Sequence, residues 1–263
     1  MIRKITYGLF LTILSGVWAK ERILFNGKSL DAFELGPGSW EIEKDGSVVC
    51  RMEKTKDKKG KERIRGMGYL WTKEDFSDFE LSVEYKLSAG ANSGIFYRSD
   101  KNNPVNGGFE IQLMDNEGFQ KKANKVLPAR KLNASFYDGV APKGDYSKPV
   151  GQWNHSRLVC KGPEVSFHLN GKLAFKINLN DWKEAGKNPD GSVNKFKVAL
   201  KDLPGKGRIG FQNHGQVVSS AEELDAFEQT LRKQLRLVAP SAAKAGKELI
   251  AAVESQPITP ALI

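Results

Sequence analysis

Strict alternation of apolar and polar residues over Phe79–Leu87 constrains the fold more than any other feature of the chain. Five apolar residues alternate there with four polar ones. Residues 165–169 and 173–177 alternate in the same way, and Asn170 and Gly171 lie between them as a hairpin signal. A period of two predicts strands with one buried and one wet face, which is typical of an antiparallel sheet.

The remaining pattern from about residue 23 to residue 218 is also strand, turn, strand. Long loops rich in Gly, Asn, Asp and Pro separate the strands, notably residues 100–108, 116–135 and 181–195. Many short strands with such turns predict an all-β protein, an antiparallel β-sandwich or jelly roll. The length of 263 residues suffices for one such domain and an appendage.

The pattern changes after Val218. Ser220 and Glu223 resemble a capping box, and apolar residues then recur every three or four positions until Pro240. We therefore predict a C-terminal helical extension over residues 219–263, with an amphipathic helix first. Its apolar residues are Leu224, Phe227, Leu231, Leu235 and Val238.

Residues 1–19 have the pattern of a secretory signal peptide. Arg3 and Lys4 precede an apolar stretch that ends at Ala19, before a charged segment. An uncleaved anchor is the alternative, although the stretch is short for a membrane span. We expect no transmembrane span after removal of the signal, and an exported protein that is periplasmic or extracellular. The domain then covers residues 20–218.

The distribution of charge argues against a nucleic-acid-binding protein, and the two cysteines fit a protein core. Much of the net charge of +10 lies in residues 54–65, a run that we expect to be a solvated loop. Aromatic residues do not interleave with these lysines, so we expect no nucleic-acid partner. Cys50 and Cys160 each end an apolar run, which favours buried free thiols, with a disulfide as the alternative.

Polar side chains recur on one face of three predicted strands. Strand parity places Glu110 and Gln112 opposite Phe109, Ile111 and Leu113. It likewise places Gln212 and His214 opposite Ile209, and Arg98 on the face of Asn92. Strands that bury one face and carry carboxylate, amide and imidazole groups on the other indicate a site for a polar ligand.

These segments resemble the 3-keto-disaccharide hydrolase domain family. The matching motifs are residues 24–30, 92–98, 108–116, 151–154, 167–171 and 210–215. The resemblance implies a concanavalin-like or laminin-G-like jelly roll with a ligand groove on its concave face, and an exported bacterial protein that acts on oxidised sugars. The chain departs from the family at Asn213, where Asp is usual, and after Ser219, where the family has a closing strand.

The resemblance implies cleavage of 3-keto-glycosides or 3-keto-disaccharides. A ketone at C3 acidifies the C2 hydrogen, so the reaction needs a base, donors for the enolate oxygen and an acid for the leaving oxygen. Glu110 and His214 are the acid/base candidates. Five residues are candidates for binding the substrate: Arg98, Gln112, Gln212, Asn92 and Asp115. A divalent cation that polarises the ketone is left open, because no ligand spacing indicates one.

A non-catalytic carbohydrate-binding module of the cell envelope is the alternative function. The same jelly-roll fold is used by lectins, and a fold does not fix a function. Product formation distinguishes the two hypotheses.

Overall fold

The computed structural model describes residues 20–35, 39–51, 53–56, 60, 62–65, 67–214, 229–231 and 235–239. Glu21–Ala239 form one compact unit, and the second unit, residues 1–20 and 240–263, lies outside the described residues except for Lys20. The described strands are β1 (Lys20–Phe25), β2 (Phe33–Leu35), β3 (Ser39–Ile42), β4 (Val48–Arg51), β5 (Glu53–Lys56), β6 (Glu62–Arg65), β7 (Met67–Thr72), β8 (Phe79–Leu87), β9 (Asn92–Ser99), β10 (Phe109–Met114), β11 (Asn154–Lys161), β12 (Glu164–Leu169), β13 (Lys172–Asn178), β14 (Arg208–His214), β15 (Gln229–Leu231) and β16 (Leu235–Ala239). One α-helix is described, α1 (Asn116–Ala123), and short 3-10 turns lie at Ala129–Lys131, Leu179–Asp181 and Leu200–Asp202.

Two antiparallel sheets build the domain. The larger follows the order β13-β12-β11-β8-β15-β4-β3, with β16 pairing both β1 and β8. The smaller follows the order β10-β9-β14-β7-β2. Their inner faces share one apolar core, to which β8 contributes every second residue and β9, β10 and β14 contribute the apolar residues that alternation selects. The predicted antiparallel β-sandwich, or jelly roll, is confirmed.

The charged run after Glu53 is not a plain loop. β5 and β6 pair there as a two-stranded antiparallel hairpin, with Glu53 opposite Arg65 and Lys56 opposite Glu62. The prediction of a solvated loop was therefore wrong for these residues. The lysines that suggested a loop are compatible with strands, because an edge strand tolerates charged side chains.

The C-terminal helical extension is contradicted where the structure describes this segment. Gln229–Leu231 and Leu235–Ala239 are strands, not turns of a helix. β15 lies between β8 and β4, and β16 pairs with β8 next to it. Pairing with the open side of β8 satisfies backbone groups that would otherwise be exposed, and this tertiary contact outweighs a helical spacing of apolar residues. Residues 215–228 and 240–263 lie outside the described residues.

Both cysteines are buried and neither forms a disulfide, as the apolar runs around them indicated. Among the described residues, no helix is long and apolar enough to cross a membrane. The predicted signal peptide, residues 1–19, lies outside the described part of the chain, so export stays a prediction.

Candidate functional site

The outer side of the smaller sheet carries the polar residues; we call it the polar face, defined by Glu110, Gln112, Gln212, Tyr69 and His214. The apolar residues that alternate with them point into the core. The face therefore has the arrangement that strand parity predicted for β10 and β14. The two strands are not neighbours, however, because β9 lies between them.

The strand register arranges the polar face in rows. In the first row, Glu110 lies opposite Phe96, Phe96 opposite Gly210, and Gly210 opposite Trp71. Phe96 and Trp71 are buried, and their rings meet edge to face at 6.2 Å. The first row is thus an apolar floor with a single carboxylate, that of Glu110, at one end.

The second row is polar. Gln112 lies opposite Gly94, and Gln212 lies opposite Tyr69. Gln212 donates from Nε2 to the Tyr69 hydroxyl at 3.2 Å, and Gln112 donates from Nε2 to Asn92 Oδ1 at 3.3 Å. Gln112 is 3 % exposed, and its Oε1 accepts no hydrogen bond within the described structure. Because buried polar atoms are normally paired, this oxygen is a position where a ligand hydroxyl can donate.

Glu110 is the carboxylate of the polar face. The residue is 8 % exposed, and its Oε2 lies 3.2 Å from Lys195 Nζ. Burial raises the pKa of Glu110, while the Lys195 ammonium acts in the opposite direction and lowers it only in part. Removal of the carboxylate from water is therefore the dominant effect.

Lys195 reaches Glu110 from the loop after the larger sheet. Its Nζ lies 4.5 Å from the centroid of the Tyr137 ring, a cation–π distance. Tyr137 is held beside Glu110 because its backbone N–H donates to the Glu110 carbonyl at 3.0 Å. Burial raises the pKa of Tyr137, and the Glu110 carboxylate raises it further, so the phenol stays protonated at neutral pH and can donate.

Buried asparagines fix the loop that carries Lys195. Asn188 Oδ1 accepts hydrogen bonds from Trp182 Nε1 at 2.8 Å and from Asn194 Nδ2 at 2.9 Å. Asn188 Nδ2 donates to the Asp138 carbonyl at 3.2 Å. This network ties the Lys195 loop to the segment that contains Tyr137, so the two approach Glu110 as a unit.

Two glycines make space on the face. A Cβ at Gly94 would lie 2.6 Å from Glu110 Oε1, and a Cβ at Gly210 would lie 2.3 Å from the Trp71 ring. Both distances are shorter than any real contact of a Cβ. The missing side chains thus allow the carboxylate and the indole to lie flat against the sheet.

Among the described residues, no group of three or more His, Cys, Asp and Glu side chains converges as a metal site. The described residues therefore offer no set of ligands for the divalent cation that the sequence left open.

Comparison with known proteins decides the family. A sequence model of the 3-keto-alpha-glucoside-1,2-lyase-like domain matches residues 20–220. The chain belongs to this family. The resemblance inferred from the motifs is thereby confirmed.

Relatives of this lyase-like domain include a protein from Bacteroides thetaiotaomicron named 3-keto-disaccharide hydrolase. The two chains are 28 % identical over 220 residues, which is 74 % of each. A solved structure from Parabacteroides distasonis, described as a candidate glycosyl hydrolase, is 26 % identical with a TM-score of 0.65, and the match covers 84 % of this chain and 99 % of that one. A second structure from the same organism, 21 % identical with a TM-score of 0.63, shares the fold over 84 % of this chain and 94 % of its own.

Arg98 does not lie on the polar face of the lyase-like domain. It is 2 % exposed and donates to the carbonyls of Ser77 and Gly162, both at 2.8 Å, and to Asp78 Oδ1 at 3.2 Å. Arg98 therefore binds structural partners outside the site. The prediction that it binds substrate has no support in this geometry.

A β-bulge explains the misplacement of Arg98. Gly210 pairs with Phe96, yet Arg208 pairs with Ser99, so β9 contains one residue more than β14 over this stretch. Arg98 adopts a left-handed backbone with φ +47°. The alternation of faces is interrupted at such a bulge, so parity counted from Asn92 no longer applies.

Asp115 and His214 lie away from Glu110. Asp115 follows β10, where its Oδ2 accepts the Gly90 N–H at 2.6 Å at the start of α1. Five residues of extended chain separate it from Glu110, roughly 17 Å. His214 is exposed at the end of β14, opposite Met67. Two inter-strand spacings and four residues along β14 separate it from Glu110, roughly 16 Å between Cα atoms.

Sequence reasoning missed the residues that surround Glu110. Lys195 and Tyr137 lie on irregular loops, where no periodic pattern marks a residue as facing a site. Trp71 and Tyr69 lie on β7, and their position two residues apart was a signal that they share a face. Of the predicted site residues, the structure brings together Glu110, Gln112, Gln212 and Asn92.

Proposed function

We propose that this protein is an exported carbohydrate-active enzyme that cleaves the glycosidic bond of 3-keto-glycosides or 3-keto-disaccharides by abstraction of the C2 proton. Family membership and the hydrolase named among its relatives support a sugar substrate. The predicted signal peptide supports action in the periplasm or outside the cell.

The C3 ketone determines the chemistry. A base takes the C2 proton, and the electron pair of the C–H bond forms an enolate with the ketone oxygen. The enolate then expels the C1 substituent, whose oxygen leaves with its bonding pair and takes a proton from an acid. Addition of water at C1 to the resulting unsaturated ketone gives net hydrolysis. If the unsaturated ketone is released before water adds, the protein acts as a lyase.

Glu110 carries this proposal. A carboxylate with a raised pKa is a stronger base than an ordinary one. Its position on the polar face, where the missing side chain of Gly94 lets the carboxylate lie against the sheet, suits removal of a carbon-bound proton.

Two donors near Glu110 suit the developing enolate. The Lys195 ammonium, 3.2 Å from Glu110 Oε2, places a positive charge where the negative charge develops. The Tyr137 hydroxyl is the second donor. Gln112, Gln212 and Asn92 provide amides for sugar hydroxyls.

The acid for the leaving oxygen is proposed at the far half of the face. Tyr69 accepts from Gln212, so its own hydroxyl proton is available to a ligand, and burial raises the pKa of Tyr69, which keeps it protonated.

Turnover of a synthetic 3-keto-glucoside with a nitrophenol leaving group tests the proposal, with the unoxidised glucoside as the control. We expect release of nitrophenol from the keto compound alone, and slower release when C2 carries deuterium. Release without an isotope effect, and without exchange of the C2 hydrogen with solvent, would refute proton abstraction. Saturable binding of the sugar without product, in the presence or absence of added Mg²⁺ or Ca²⁺, would favour the carbohydrate-binding module.

A further inference from the structure

A cavity lies at the end of β10, and none of the residues that define the polar face lines it. Its volume is about 460 Å³, within the range of small-molecule sites. The residues that line it come from the ends of β8 and β10, the start of α1 and the segment before β11: Leu87, Met114, Asp115, Asn116, Glu117, Asn133, Asp145, Ser147, Lys148, Pro149, Val150 and Asn154. None of the groups placed around Glu110 belongs to this set.

The lining combines hydrogen-bonding groups with an apolar patch. Asp115, Asp145 and Glu117 contribute carboxylates, and Asn133 and Asn154 contribute amides. Leu87, Pro149 and Val150 contribute apolar surface. The two amides are already hydrogen-bonded within the protein and hold the wall in place. A sugar ring has the chemistry that matches the rest, since its hydroxyls pair with carboxylates while its C–H groups pack on apolar side chains.

Tyr85 lies next to the lining and is not part of it. It pairs with Asn154, a lining residue, across β8 and β11, and it is 0 % exposed. Burial raises the pKa of Tyr85, while a hydrogen bond with Asn133, another lining residue, lowers it in part. The buried phenol therefore supports these residues from behind.

We infer that this cavity is a second binding site for a neutral pyranose unit, separate from the candidate active site. That the ligand is a sugar rests on the proposed function; that the cavity binds a polyhydroxylated ligand rests on its lining. Such a site holds one part of a longer glycan while another part, or another molecule, is cleaved at Glu110.

Val150 and Val105 provide a matched pair of variants. Val150 is 48 % exposed at the cavity, and Val105 is 51 % exposed on the loop between β9 and β10, outside the lining. Val150→Arg obstructs the opening with a long side chain, and exposure of the site keeps the fold intact. Val105→Arg adds the same charge outside the lining of this cavity.

The test is a titration of the full protein with maltose, a disaccharide without a ketone, followed by backbone amide NMR. We expect saturable shifts at residues 115–117 and 145–150, unchanged in Val105→Arg and weakened roughly tenfold or more in Val150→Arg. Equal titration of the two variants, shifts confined to residues 69 and 212–214, or shifts produced by Ca²⁺ and not by maltose would each overturn the inference. Failure of 3-keto-glucoside cleavage leaves this readout unaffected, so the two proposals fail separately.

Discussion

Arg98 gives the sharpest test of the structure against expectation from sequence, because the two assign it opposite roles. Replacement of Arg98 by Met keeps most of the apolar stem, and both residues are strained to a similar extent by the left-handed backbone. The change in the free energy of unfolding therefore reports the loss of the guanidinium. The variant loses donors to the carbonyls of Ser77 and Gly162 at 2.8 Å and to Asp78 at 3.2 Å. Each hydrogen bond from a charged group is worth about 1.5 kcal/mol or more, less where Asp78 is exposed, so we expect a loss of about 3 to 4 kcal/mol.

Urea denaturation measures this loss as a lower midpoint with an unchanged slope. Arg157→Met is the matched control. Arg157 forms a two-bond ion pair with Glu80 at 2.6 and 2.8 Å, but both side chains are partly exposed, so we expect a loss of about 1 kcal/mol or less. The folded fraction of Arg98→Met should keep the wild-type KM. The structural role would be refuted if the free energy of unfolding of Arg98→Met stayed within about 0.5 kcal/mol of wild type. A strong rise in KM in the same variant would then support the substrate-binding role.

The remaining predictions concern catalysis and the tail. Glu110→Gln should lower kcat by about 10²-fold or more, measured with the 3-keto-glucoside; wild-type kcat would exclude Glu110 as the base. Lys195→Met removes the group that lowers the pKa of Glu110, so the acidic limb of the kcat/KM profile should move to higher pH, because the base form then appears later; an unmoved limb would contradict this. Gly94→Ala should displace the carboxylate and reduce kcat, whereas Gly205→Ala, with nothing within 4 Å, should not. Deletion of residues 219–263 removes β15 and β16 and should lower the melting temperature; an unchanged melting temperature would mean that these strands do not stabilise the sheet.

Strand parity located part of the site because β10 and β14 are regular over the residues concerned. Glu110, Gln112 and Gln212 all lie on the predicted face. The same rule failed for Arg98, since a bulge that no local pattern marks adds one residue to β9. It could not find Lys195, which is 85 residues from Glu110 in sequence and reaches it from an irregular loop.

The C-terminal segment shows the limit of periodicity itself. Apolar residues recur every three or four positions, as in an amphipathic helix. Leu231 and Leu235 nevertheless lie in strands that pair with β8. The spacing of apolar residues in the sequence shows only which secondary structure would give the isolated segment one apolar face. The open hydrogen-bonding side of β8 is a property of the whole sheet, and it decides the outcome.

The interior glycines were a signal in the sequence that would have located the site more closely than the polar residues. Gly94 and Gly210 interrupt strands that are otherwise suited to large side chains, and glycine inside a strand weakens it unless another group must approach closely. Here Glu110 and the Trp71 ring occupy the space that a Cβ would fill at each glycine. The side chains that are absent at Gly94 and Gly210 thus decide where the carboxylate that we propose as the base and the Trp71 ring lie on the polar face.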